Sequence, residues 1–179
     1  MVLCSPMERP KYSFRPIASE EDLEVVLEID RKSGIPIGFS KNEINQSLSC
    51  LQQEIDHGND RAWQESFVVY QEEKPVAFML IEPEDIDGDE VMQHIGGFAT
   101  TQESRSLGVL RAVLERLKAT QDPYFRYGYT AIANRDTSYR GLAKPLVKEW
   151  FAKNGVYYDI KIPQVDDDDL LGIFLEIEK

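Results

Sequence analysis

Apolar and polar residues alternate through Lys11-Tyr-Ser-Phe-Arg-Pro-Ile17, the period of two that sends successive side chains to opposite faces of a strand. The period then lengthens. Ser19-Glu-Glu-Asp22 has the spacing of a helix-start box, and Leu23, Val26 and Leu27 follow at helical intervals before Gly34 supplies a stop. Ile44, Leu48, Leu51 and Ile55 recur three and four residues apart, which predicts a second helix over Lys41 to His57, ahead of Gly58. Two β-rich runs come next, Glu65 to Gln71 and Pro75 to Glu82, joined by the short polar stretch Glu72-Glu-Lys74 as a hairpin. An acidic connection, Glu84 to Glu90, leads into a strand from Val91 to Thr100. Its centre holds Gly96-Gly97, and paired glycines inside a strand mark a bulge or a place where another group comes close to the backbone.

The stripe Leu107, Leu110, Val113, Leu114, Leu117 predicts a helix over Arg105 to Ala119. A strand is expected over Tyr127 to Ala133. Leu142, Ala143, Leu146, Val147, Trp150 and Phe151 then mark an amphipathic helix that kinks or restarts at Pro145 and stops at Asn154-Gly155. Val156 to Ile162 and Leu170 to Ile177 are the closing strands, joined by Pro163 to Asp169. The predicted order is β, α, α, β, β, β, α, β, α, β, β, with no repeat and no interdomain linker.

At 179 residues the chain has the length of one domain, here residues 11–179 behind a short N-terminal extension, residues 1–10. Its 42% hydrophobic and 29% charged residues are those of a globular protein, and no apolar run approaches the roughly 20 residues of a membrane span. The expected location is the cytoplasm, without a membrane partner. Two cysteines, Cys4 and Cys50, are too few for a disulfide framework or a thiolate cage, and no metal is expected. Charge changes the picture more: a net −12 repels phosphate backbones and anionic surfaces and draws in amines, polyamines or basic protein segments. Direct nucleic-acid binding is therefore not expected. Asp166 to Asp169, four adjacent carboxylates, belong on the surface, where they attract cations or simply face water. With only His57 and His94 available, no Ser-His-Asp set or HExxH helix can be assembled.

The joint between the glycine-bearing strand and the helix after it is the informative one, because a helix start offers unpaired N–H groups and a positive dipole end, both suited to phosphate. Across it runs Arg105-Ser106-Leu107-Gly108-Val109-Leu110. Here the chain resembles the GNAT superfamily of N-acetyltransferases, whose acetyl-CoA loop reads Gln/Arg-x-x-Gly-x-Gly/Ala at this topological place. Arg105 and Gly108 match; Leu110 stands where the family usually has glycine or alanine. The element order from Tyr12 to Ile177 matches as well. The resemblance implies an α/β (α+β) fold with a mixed, largely antiparallel central sheet, helices on both faces, and a bulged central strand splayed from its neighbour. It further implies acetyl-CoA as co-substrate. Its pantetheine would lie along Phe98 to Thr100 and its pyrophosphate on the backbone N–H groups of Arg105, Ser106, Leu107, Gly108, Val109 and Leu110.

The family often places an Asn at the end of the next strand, for cofactor, and a Tyr just ahead of a later glycine, as acid. Asn134 fits the first place; Phe151 occupies the second, which leaves Tyr139 as the nearest hydroxyl able to protonate a departing thiolate. A base must also take a proton from the ammonium, and His94 on the glycine-bearing strand and Glu82 at the end of its neighbour are the candidates. The reading is an acetyl-CoA-dependent N-acyltransferase acting on a cationic amine by direct attack in a ternary complex. Leu110 and Phe151 motivate an alternative, a catalytically silent acidic module of the same fold that engages a basic partner or mimics nucleic acid.

Overall fold

The computed structural model describes residues 11–34, 36–57, 65–85, 91–119, 126–132, 149, 156–162 and 170–176. Seven strands form one sheet in the order β1-β2-β3-β4-β5-β7-β6: β1 Tyr12–Pro16, β2 Phe67–Gln71, β3 Lys74–Asp85, β4 Val91–Thr100, β5 Arg126–Ile132, β6 Val156–Ile162 and β7 Leu170–Glu176. Strands β1 to β4 pair antiparallel, β4 and β5 run parallel, and β7 lies antiparallel between β5 and β6. Three helices are described: α1 Glu20–Lys32, α2 Lys41–Asp56 and α3 Leu107–Ala119. Of the amphipathic helix expected around Leu142 to Asn154 only Glu149 is described, and it is helical; Cys4, Asn134, Tyr139, Phe151 and Asp166 to Asp169 lie outside the described residues.

Alternation along β2 and β3 builds two cores, one per sheet face. Val68, Tyr70, Phe78 and Leu80, with Ala99 of β4, pack against Leu23, Val26 and Ile29 of α1 and Ile44 and Leu48 of α2. Phe67, Val69, Ala77, Met79, Ile81 and Ile95 face Val109, Val113, Leu114 and Leu117 of α3, joined by Leu51 and Ile55 of α2. Each buried aliphatic or aromatic side chain contributes roughly 1.5–3 kcal/mol relative to exposure, so these layers dominate the stability of the fold.

Both early helices start on capping boxes. The Ser19 hydroxyl accepts from the Asp22 N–H at 3.2 Å while the Asp22 carboxylate accepts from the Ser19 N–H at 2.9 Å; Ser40 and Glu43 repeat the arrangement on α2. Burial pushes the Asp22 carboxyl up, but hydrogen bonds from Ser19 and the Ala18 amide, with Arg15 nearby, outweigh it and hold it below the ordinary range. The hydroxyl and amide of Ser40 lower Glu43 in the same way.

Three boundaries near the glycine-bearing strand and its neighbours differ notably from the pattern-based expectation. Strand β3 continues to Asp85, because its ladder with β4 runs on to the pair Asp85↔Val91. The hairpin turn is the two residues Glu72-Glu73, at φ 50° and 66°, with Lys74 already in the strand. Helix α3 begins at Leu107, two residues after Arg105. Arg105 is extended, at φ −61° and ψ 101°, and follows a 3₁₀ turn over Gln102–Ser104, so the first helical carbonyl is that of Ser106.

Candidate active site

The parallel ladder between β4 and β5 consists of Gln93↔Tyr127 and His94↔Gly128. Past His94 the ladder has no further pair among the described residues, which leaves the β5-facing backbone groups of Ile95 to Thr100 outside the β4–β5 ladder. On the other side of β4, Leu80 pairs with Gly97 and Ile81 with Ile95, which leaves Gly96 as the extra residue of a bulge. The end of the ladder and the bulge therefore fall on the same stretch of the same strand.

Both glycines of the bulge are small for a visible reason. An ideal Cβ at Gly97 would lie 2.6 and 2.7 Å from ring carbons of Phe39, from the connection between α1 and α2, so the ring rests on bare backbone. A Cβ at Gly96 would stand 2.5 and 2.6 Å from the two carboxylate oxygens of Glu82. Glu82 is half-buried near the end of β3, with His94 as its register partner, and its Oε1 accepts a hydrogen bond from the Ser47 hydroxyl of α2. An acidic group thus lies over the segment where β4 leaves β5. Its register partner His94 is placed by backbone alone, and the third proton-transfer candidate, Tyr139, is outside the described residues.

Further along β4, Phe98 packs toward the α3 core and Thr100 is partly buried. Thr101 leaves the strand with its N–H on the Val76 carbonyl at 2.9 Å, and its hydroxyl is buried without a partner among the described residues. At the start of α3, Ser106 is the cap: its Oγ accepts from the Val109 N–H at 3.4 Å and its carbonyl from the Leu110 N–H at 3.5 Å. Those two amides serve the helix itself. Leu107 and Gly108, the first two helical residues, have no intrahelical acceptor for their N–H groups, which narrows the phosphate-facing part of the loop to them. The exposed Gly108 has Tyr12 Oη 3.1 Å and Ser106 Oγ 3.5 Å from where a Cβ would stand. Val109 is fully buried, and the partly buried Leu110 side chain packs on the α3 core. Arg105 is turned away from the helix start: its Nη2 donates to the Ser33 carbonyl at the end of α1, at 2.6 Å.

The same connection carries two more anchors. Asp30, buried in the last turns of α1, accepts from the Ile37 and Gly38 amides at 2.8 Å each. With the Arg105 contact, this ties the segment bearing Phe39 both to α1 and to the loop before α3. Sequence reasoning singled out none of Asp30, Phe39 and Ser47. A signal existed for two of them: Asp30 continues the 23, 26, 27 stripe, and Ser47 sits three residues after Ile44, so both are polar residues at inward helical positions. Among the described residues, no group of three His, Cys, Asp or Glu side chains is arranged to hold a metal ion.

No protein-family model and no curated protein matches the chain. Solved structures do. A chain of the NatB acetyltransferase complex bound to CoA and MES superposes with a TM-score of 0.59 at 16% identity, covering 93% of this chain and 99% of that one. One from the NatC complex bound to Gag peptide and CoA gives 0.58 at 11% identity, with 92% and 98% covered. A GNAT-family acetyltransferase from Bacillus cereus gives 0.57 at 16%, with 94% and 99% covered. At such identities the likeness is one of architecture, and it extends over nearly the whole chain: the protein has the GNAT acetyltransferase fold.

Proposed function

We propose that the protein is an acetyl-CoA-dependent N-acyltransferase that passes an acetyl group to a cationic amine by direct attack. The observation that carries the reading is the coincidence, on β4, of a bulge, an opened edge and a capped helix start immediately downstream. The edge offers backbone groups to an extended amide-bearing chain such as pantetheine. The amides of Leu107 and Gly108, at the positive end of α3, suit a pyrophosphate. Asn134 is the further cofactor-binding candidate.

In the reaction the ammonium first gives up a proton, its nitrogen adds to the thioester carbonyl, and the tetrahedral intermediate collapses to amide and CoA thiolate as the second proton of the nitrogen leaves and the thiolate gains one, so that one proton is released overall. Glu82, laid over the bulge, is the favoured acceptor of the first proton, with His94 as the alternative; Tyr139 is the candidate donor of the last. The net charge of −12 enriches cationic acceptors around the protein, whether small amines or basic peptide segments. Comparison structures include acetyltransferase chains solved with CoA and with a peptide, which supports both halves of the substrate assignment. The silent-module alternative rested partly on Leu110, and that side chain packs inward.

Calorimetry with acetyl-CoA tests the reading. Gly108→Pro removes one of the two uncommitted amides at a first-turn position, and binding should weaken at least tenfold. Unchanged affinity refutes the loop assignment, and no binding by the unaltered protein refutes the enzyme.

A further inference from the structure

We propose that Ser47 is a positioning residue for acyl transfer: its hydroxyl, delivered by α2, holds the Glu82 carboxylate over Gly96, where β4 has parted from β5. The inference rests on the N-acyltransferase reading, with Glu82 as proton acceptor.

Glu82 follows Phe78 and Leu80 on the β3 face that meets α1 and α2, and both of those are fully buried. A glutamate there has rotatable bonds enough to swing toward water, and two features of the fold oppose that. Gly96 has no side chain, so the carboxylate can lie on the strand. Ser47 then fastens it. The Ser47 hydroxyl has one hydrogen and two acceptors in reach, the Glu43 carbonyl at 3.0 Å and the Glu82 carboxylate, and the charge-assisted bond to the carboxylate is the stronger. The arrangement joins three elements through residues 35 positions apart, and a partly buried polar contact between α2 and β3 is an uncommon use of a helix face that otherwise packs Ile44 and Leu48.

Losing the hydroxyl should free the Glu82 side chain to leave Gly96. The other ionisable residues to consider are Glu43 on α2, whose carboxylate is engaged at the Ser40 cap, and His94, the register partner on β4. Neither changes in the Ser47 variants below, so a change in rate reports on Ser47.

The experiment is steady-state kinetics of the full chain with spermine and an alanine-initiated pentapeptide as acceptors, beside calorimetry with acetyl-CoA. Ser47→Ala should lower kcat about 3- to 10-fold while acetyl-CoA affinity stays within twofold, Ser47→Thr should restore the rate, and in the slower Glu82→Gln protein Ser47→Ala should have no further effect, because it acts through that carboxylate. A kcat unmoved by Ser47→Ala overturns the inference, and so does a fall of the same size in the Glu82→Gln background. Loss of acetyl-CoA binding in the unaltered protein refutes the underlying reading instead, and the two failures are told apart by calorimetry.

Discussion

Replacing each bulge glycine with alanine separates the two roles of the bulge. At Gly97 the added methyl meets the Phe39 ring at 2.6–2.7 Å, about 1 Å inside ordinary contact, and the ring is held by a T-shaped contact with Phe78 at 6.3 Å between centroids. The ring must leave. The change forfeits about 0.5–1.5 kcal/mol of aromatic pairing and part of the burial of Phe39, for a net loss of about 2 kcal/mol. At Gly96 the methyl meets the flexible end of Glu82, whose outward swing gives up, among its contacts, the hydrogen bond from Ser47, worth about 1.5–3 kcal/mol with a charged partner. Exchanging a strand glycine for alanine returns roughly 0.5–1 kcal/mol, and neither glycine has a positive φ, so the backbone accepts both changes. Urea unfolding should therefore show Gly97→Ala losing about 2 kcal/mol and Gly96→Ala about 1. Turnover should show the reverse order, with Gly96→Ala at least tenfold slower because the carboxylate has been displaced. A Gly96→Ala protein as active as the unaltered one would refute the placement of Glu82 as the base; equal unfolding midpoints would refute the packing argument for Phe39.

Leu110→Ala should cost about 2 kcal/mol in urea unfolding and leave acetyl-CoA affinity within twofold in calorimetry, because that side chain belongs to the α3 core. Glu72→Asn should raise the melting temperature by about 1–2 °C, since asparagine tolerates the left-handed conformation at φ 50° better than glutamate. Ser19→Ala should destabilise by about 1 kcal/mol through loss of the α1 cap. Asp22 and Glu43 are both lowered in the folded protein, so their contribution is complete at neutral pH and is lost as pH falls below about 4 through the folded values; thermal melts in acid should show that loss, and much less of it in Asp22→Asn.

Local chemistry was the legible part of the chain. Ser19 and Asp22 announced a capping box because both halves of it lie within four residues, and Gly96-Gly97 announced a bulge because glycine has few other uses inside a strand. The α3 stripe placed its helix to within two residues, the error coming from Ser106 taking the cap ahead of Arg105. Pairings distant along the chain left no such trace. That β7 inserts between β5 and β6 depends on which edges remain when the sheet closes. The Ser47–Glu82 bond joins positions separated by a helix end and two strands. Leu110 shows a third limit: its identity departs from the family's glycine or alanine, and only the fold shows that its side chain packs against the α3 core.

By ladder pairing among the described residues, the sheet is two leaves, strands β1 to β4 and strands β5 to β7, joined at a seam of two pairs between β4 and β5. The leaf of β1 to β4 has described cores on both of its faces, and α3 packs on it although α3 leads toward β5. Opening at the seam would leave those two described cores intact, so it should precede global unfolding. Hydrogen exchange at Gln93, His94, Tyr127 and Gly128 would then outpace that of β2 and β3 and slow when a ligand bridges the gap. The width of the cleft is a mechanical property set by ladder length: one more pair past His94 would draw the leaves together, and one fewer would let them separate.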